Sequence, residues 1–246
     1  MTSLPWHVTA IIVVVDLLVA TVICRGLVAA GLRAGFSHAR ANKLGWGVAA
    51  LIALWVSTSV LLSLTFIAKR PMVPANGAAF VSLLMCPVFV ISVLLMRKDW
   101  QRVVSATPQH WIIGLELYRV VGGVFLITAS AGFLPMWFAK PTAYGDFVAG
   151  FSAPGVALLA YKRISSWKAA VLIWNVAGLA DFVMALGLGS QLLFVAKAKT
   201  LFGNQAISTS IVRELPLVLI PQFVVPVGIA LHILSLWKLR VAARDR

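Results

Sequence analysis

Charge is what this sequence lacks. Only 11% of its 246 residues are Asp, Glu, Lys or Arg, while 61% are hydrophobic and the mean hydropathy is +0.97. A soluble domain is nearer a quarter charged, so an ordinary soluble protein is excluded. Acids are scarcest: seven Asp and Glu stand against 21 Lys and Arg, for a formal charge of +14. In a soluble chain that imbalance would indicate nucleic acid as a partner. Here nearly all the basic residues fall in short joints between apolar runs, where they set topology and meet anionic head groups, so no nucleic acid is expected. Cysteine is also rare. Cys24 and Cys86 lie far apart inside apolar runs, with no CxxC spacing for redox or metal work. Haem needs paired axial ligands, yet of His7, His38, His110 and His232 only His232 is well inside an apolar run. A retinal linkage needs a lysine in the middle of the last run, and Lys238 stands at its edge. HExxH, GxSxG and phosphate-cradling glycine loops are absent. No metal and no cofactor is therefore expected, and an enzyme ranks third among the function classes.

Long apolar runs are what the sequence does have. They occupy about 8–31, 45–67, 77–96, 111–138, 143–161, 169–190 and 215–237, each near the ~20 residues that cross a bilayer. The joints are too short for a soluble domain. The expected fold is all-α, a single polytopic transmembrane helix bundle of seven spans over residues 1–246. The first run has no basic residue before it and is too long for a signal-peptide core, and "TVIC" lacks the small residue that precedes a lipidated cysteine. It reads as a retained helix.

Seven spans place the termini on opposite sides. Thirteen basic residues fall on the C-terminal side, against six on the other, among them Lys69, Arg70, Lys140 and Arg213. The positive-inside rule then puts the N-terminus outside and the C-terminus in the cytoplasm of a bacterial cell. Trp6, Trp46, Trp100, Trp111, Trp137, Trp167 and Trp237 lie near the run ends, where an amphipathic ring prefers the head-group layer. Residues 191–214 form the longest joint and are expected to hold a short interfacial helix on the outer face. No internal repeat is visible, so the signature of many secondary transporters is missing.

An ionised side chain near the bilayer centre costs roughly 2.5–3.5 kcal/mol, so each must face the bundle, pair, or mark function. Asp16 and Arg25 lie in the first span. The candidate ligand or proton contacts are Glu116, Arg119, Asp146, Asn175, Asp181 and His232. The orientation puts Glu116, Arg119, Asn175 and His232 in the cytoplasmic half. Asp181 falls near the middle, and Asp16 and Asp146 in the outer half, as a discontinuous ladder of acids. Glu116 and Arg119 share a helix face that continues to Gly123. They are either a structural ion pair that sets register, or part of a pocket for a head group, a carboxylate or a proton. Asp181 shares a face with Trp174, Gly178 and Ala185 and must look inward, as a hydrogen-bond donor or a proton relay. Gly145, Ala149, Ala153 and Ala157 form a row at fourfold spacing that reads as a packing seam. Pro154 frees the Gly150 carbonyl and is expected to kink that span near Asp146. Pro216, Pro221 and Pro226 imply a bent outer half of the last span, with His232 beyond them as a satisfied core histidine or a contact.

The ordered motifs "ELYRVVGG", "LPMWFAKPTAYGDFVAGFSAP", "WNVAGLADF" and "LPLVLIPQFVVPVGIALH" resemble a family of bacterial seven-helix integral membrane proteins with no assigned activity. They cover about the second half of the chain. The resemblance implies the span count and points at the same residues without supplying a mechanism.

Two functions stay open. One is binding or passage of a small polar solute, a proton or a lipid head group, with Asp181, Asp146 and Glu116 as proton or cation contacts and Arg119 as the anion contact. The other is a non-catalytic membrane subunit or assembly factor whose partner is another membrane protein or a second copy. In both the lipid bilayer surrounds the chain.

Overall fold

The computed structural model describes residues 4–67 and 74–244, and every regular element among them is helical. α1 (Trp6–Arg33) and α2 (His38–Leu62) form a hairpin in which Gly31 meets Ala41 and Gly45 meets Val28. The Ser37 hydroxyl accepts the Arg40 N–H at 3.3 Å and caps α2. α2 therefore starts seven residues before the expected 45: Arg40 and Lys43 continue the helix, since long basic side chains reach the polar layer from within it. A π-helical turn, Ser63–Ile67, extends α2. The Lys69–Arg70 joint and Arg246 lie outside the described residues.

α3 (Pro74–Leu94) bends into α4 (Lys98–Ala106), the axes of Phe80–Leu94 and Lys98–Ala106 meeting at 97°. The sequence presents α4 only as a basic joint. It is helical because it is amphipathic: Val103 and Val104 are buried, Lys98, Asp99 and Arg102 are exposed, and Asp99 complements the dipole in the first turn.

α5 (Gln109–Ser130) changes winding twice, with a 3₁₀ stretch, Glu116–Gly123, between α-helical ends. It stops at Ser130 and not near 138. Gly132 takes φ +82°, and the Phe133 N–H donates to the Thr128 carbonyl at 3.1 Å, which closes the helix in a Schellman motif. Pro135 then leads into α6 (Met136–Lys162), which begins seven residues before the expected 143 and runs through Pro141 and Pro154 as one helix. Asp146 is consequently in the body of α6 and not at its start.

α7 (Trp167–Gly189) is followed by α8 (Val195–Phe202), a helix in the 191–214 joint, and a 3₁₀ turn, Ser210–Arg213. The last span starts later than the apolar run: residues 215–218 are turns, Ile220–Val224 is a π-helical turn around Pro221, and α9 occupies Val225–Arg244. Prolines at five-residue intervals remove the donors that an α-helix from 215 would need.

Among the described residues six helices are long and apolar enough to cross a membrane, and the bent α3–α4 pair is a seventh if counted as one span. Burial ranks them: 72% of the last span's apolar window and 61% of α5's is inside the protein, against 11% for α1 and for α2. α5 and α9 are the centre of the bundle, and α1 and α2 its periphery. Trp137, expected at the interface, is instead buried beside Phe138, with its ring under the Lys199 ammonium at 5.5 Å.

Candidate functional site

The 3₁₀ stretch of α5 decides what its polar residues face. At three residues per turn, positions 116, 119 and 122 stack on one line, whereas an α-helix would carry the line on to 123. Gly122 accordingly lies against Asp146, whose Cγ a Cβ at 122 would meet at 2.7 Å, while Gly123 packs on the Phe147 ring. The face expected to reach Gly123 ends on Gly122.

Arg119 is completely buried, and all three of its nitrogens are engaged by other helices. Its Nε donates to Asp146 Oδ1 of α6 at 2.9 Å, one Nη donates to Asp181 Oδ2 of α7, and the other faces His232 Nε2 of α9 at 3.3 Å. The guanidinium also lies 3.9 Å from the centre of the Phe182 ring, a cation–π contact. Its partners are thus Asp146 and Asp181 and not Glu116 one turn away. Asp146 and Asp181 belong to one layer around Arg119, which replaces the expected ladder from outside to centre; Asp16 stands apart from it.

The hydrogen-bond network assigns the histidine tautomer. Asn175 Nδ2 donates to the Val171 carbonyl at 2.7 Å and to Ser235 Oγ at 2.9 Å, so Asn175 Oδ1 is the acceptor facing His232 Nδ1 at 2.9 Å. His232 Nδ1 therefore carries hydrogen and Nε2 accepts from Arg119. Ser235 also accepts from Gln109 Nε2 at 2.7 Å, which extends the polar chain to the first turn of α5.

Glycines make this crowding possible. A Cβ at Gly178 would stand 2.5 Å from His232 Cε1 and 3.2 Å from Arg119 Nη1, and one at Gly145 would collide with the Asp181 carboxylate. Gly145 heads the row expected to be a packing seam, and the same row carries the hydrogen bond from Trp174 Nε1 to the Ala149 carbonyl at 3.3 Å.

Glu116 is the exception within the layer. It is completely buried and neither carboxylate oxygen has a hydrogen-bond partner. His232 Nε2 lies 3.8 Å from Oε1, beyond hydrogen-bond length, and already accepts from Arg119. Asp181 Oδ1 and Thr142 Oγ1 are likewise buried without a partner. The layer carries three carboxylates and one guanidinium, and its unused polar atoms are nearly all acceptors. Two negative charges remain for protons or a cation to neutralise, because uncompensated buried charge costs several kcal/mol per ion. Among the described residues no group of three or more His, Cys, Asp or Glu side chains could hold a metal ion.

All six candidate contacts meet in this layer, four helices contributing. Sequence reasoning passed over Gln109, Ser235 and Phe182. Ser235 follows His232 by three residues, one helical turn, and that spacing is its only signal; Phe182 is indistinguishable from any core aromatic.

Residues 77–240 match the family described as Domain of unknown function (DUF8737). The chain belongs to this family. The DUF8737 region includes all four helices that meet at Arg119 and leaves α1 and α2 outside. No curated protein and no solved structure matches the chain.

Proposed function

We propose that this DUF8737 protein is a seven-span protein of the bacterial cytoplasmic membrane, N-terminus outside, that binds and passes a proton or a small cation in its bundle interior. α3 crosses the membrane and α4 lies along its inner surface in this reading. The observation that carries it is Glu116, a carboxyl fully buried beside two further carboxylates with both oxygens unpartnered. A structural acid would have found donors; one that exchanges a proton or cation needs free acceptor atoms.

Arg119 is then a fixed countercharge. Each of its nitrogens already faces Asp146, Asp181 or His232, and with three carboxylates to one guanidinium the layer favours a cationic ligand over a carboxylate or a lipid phosphate. Asp146 and Asp181 share the negative charge, and Asn175 holds His232 in the tautomer that accepts from Arg119. A cavity of about 40 Å³ beside Asp146, lined also by Thr142 and Ser190, has room for about one water and offers a route toward the outer end of α7. Toward the inner end, Gln109 and Asn175 both donate amide hydrogens to the Ser235 hydroxyl.

The test is proton flux in proteoliposomes holding a pH-reporting dye, under an imposed pH gradient and with sodium or potassium as the counter-ion. Wild type is expected to exceed empty liposomes, and Glu116→Gln to abolish the excess while the protein stays monodisperse. Flux equal to empty liposomes with every cation, together with a co-purifying protein chain, would move the reading to a membrane subunit.

A further inference from the structure

A groove between α1 and α2, lined also by Phe223 and by none of the residues of the Arg119 layer, has a volume of about 700 Å³. Its α2 wall runs from Asn42 to Val56, fifteen residues and about 21 Å from first to last. Half of a bilayer with its head groups, roughly 40–45 Å thick, is about 20–22 Å, so the groove has the depth of one leaflet from head group to midplane. Gly45, Ala49 and Ala53 keep that wall low at intervals of four.

The polarity of the groove is that of an amphiphile. One end carries Arg25, Asn42 and Trp46, and the wall beyond them is apolar but for Thr21, whose hydroxyl donates to the Leu17 carbonyl of its own helix. Asp16 closes the far end, but its oxygens are shielded from the groove surface. Arg25 is exposed and has no hydrogen bond or ion pair among the described residues. It stands eight residues, about 12 Å, before the end of α1, within snorkelling reach of the head-group layer. An unpaired guanidinium there complements a phosphate, which it can bind by two parallel hydrogen bonds.

We infer that the α1–α2 groove holds one tail of an anionic phospholipid of the leaflet nearest the end of α1, with the lipid phosphate on Arg25. Charge selects the head group and the small-residue wall accepts the chain. This site shares no residue with the Arg119 layer, and its occupancy does not depend on what that layer carries.

Native mass spectrometry tests it on the full-length protein in detergent, offered equal phosphatidylglycerol and phosphatidylcholine of the same chain length. Wild type is expected to retain about fivefold more phosphatidylglycerol, the size of one basic side chain's attraction to an anionic lipid. Arg25→Ala should reduce the ratio to about one, Arg25→Lys should keep most of it, and Ala53→Phe should remove both adducts by filling the groove. Arg240→Ala, at the end of α9 and outside the groove, should leave the ratio unchanged. Equal retention of both lipids by wild type, undiminished preference in Arg25→Ala, or an equal loss in Arg240→Ala would overturn the proposal. A lipid-free dimer would overturn it too, by making a second copy the occupant.

Discussion

Replacing Glu116 by Met should make the protein more stable. Glu116 is completely buried and both oxygens lack hydrogen-bond partners. A buried acceptor left unsatisfied costs about 1–3 kcal/mol, more if it is charged. Methionine fills nearly the same volume without acceptor atoms, so Glu116→Met should recover about 1–3 kcal/mol. For a chain of this size each kcal/mol moves the melting temperature by roughly 2–4 °C, which gives a rise of about 2–12 °C. Arg119→Met should do the opposite and cost about 3–5 kcal/mol, because it strands Asp146 and Asp181. Thermal unfolding in a mild detergent, followed by the loss of monodisperse protein, reads both signs in one experiment. If Glu116→Met lowers stability by more than about 1 kcal/mol, Glu116 is a structural partner of Arg119. The reasoning from its free oxygens would then be refuted.

Gly178→Ala should cost about 1–3 kcal/mol by pushing into His232 and Arg119, whereas Gly47→Ala, with open space around it, should be neutral or gain about 0.5–1 kcal/mol; the same melting assay compares them. Asn175→Ala removes the acceptor of His232 Nδ1 and a donor to Ser235, and should cost about 1–3 kcal/mol. Imidazole nitrogen NMR shifts should also show the tautomer released. Arg40→Ala breaks the ion pair with Asp99, but both side chains are more than half exposed, so unfolding should change by less than about 1 kcal/mol and the difference should vanish in high salt.

Most helix boundaries that the sequence placed wrongly fail for local reasons. The apolar run at 111–138 conceals a Schellman stop at Gly132, because Phe133 and Leu134 are as apolar as the helix they leave. α4 went unseen because its basic residues read as topology and not as one face of a helix. The late start of the last span follows from prolines visible in the sequence, but the π-helical turn that accommodates them depends on packing.

The sequence by itself determined that the protein is helical and apolar along its length, and which few polar residues lie inside its spans. Composition and run length carry that information directly, since the cost of burying charge in lipid leaves so few exceptions. Only the tertiary structure decided the partners. Spacing along one helix paired Glu116 with Arg119, but the 3₁₀ winding of α5 and the contacts at Gly122, Gly145 and Gly178 bring Asp146, Asp181 and His232 onto the guanidinium first. All three guanidinium nitrogens face the other helices and none lies within hydrogen-bond distance of Glu116, and no property of residues 116–119 taken alone could reveal it.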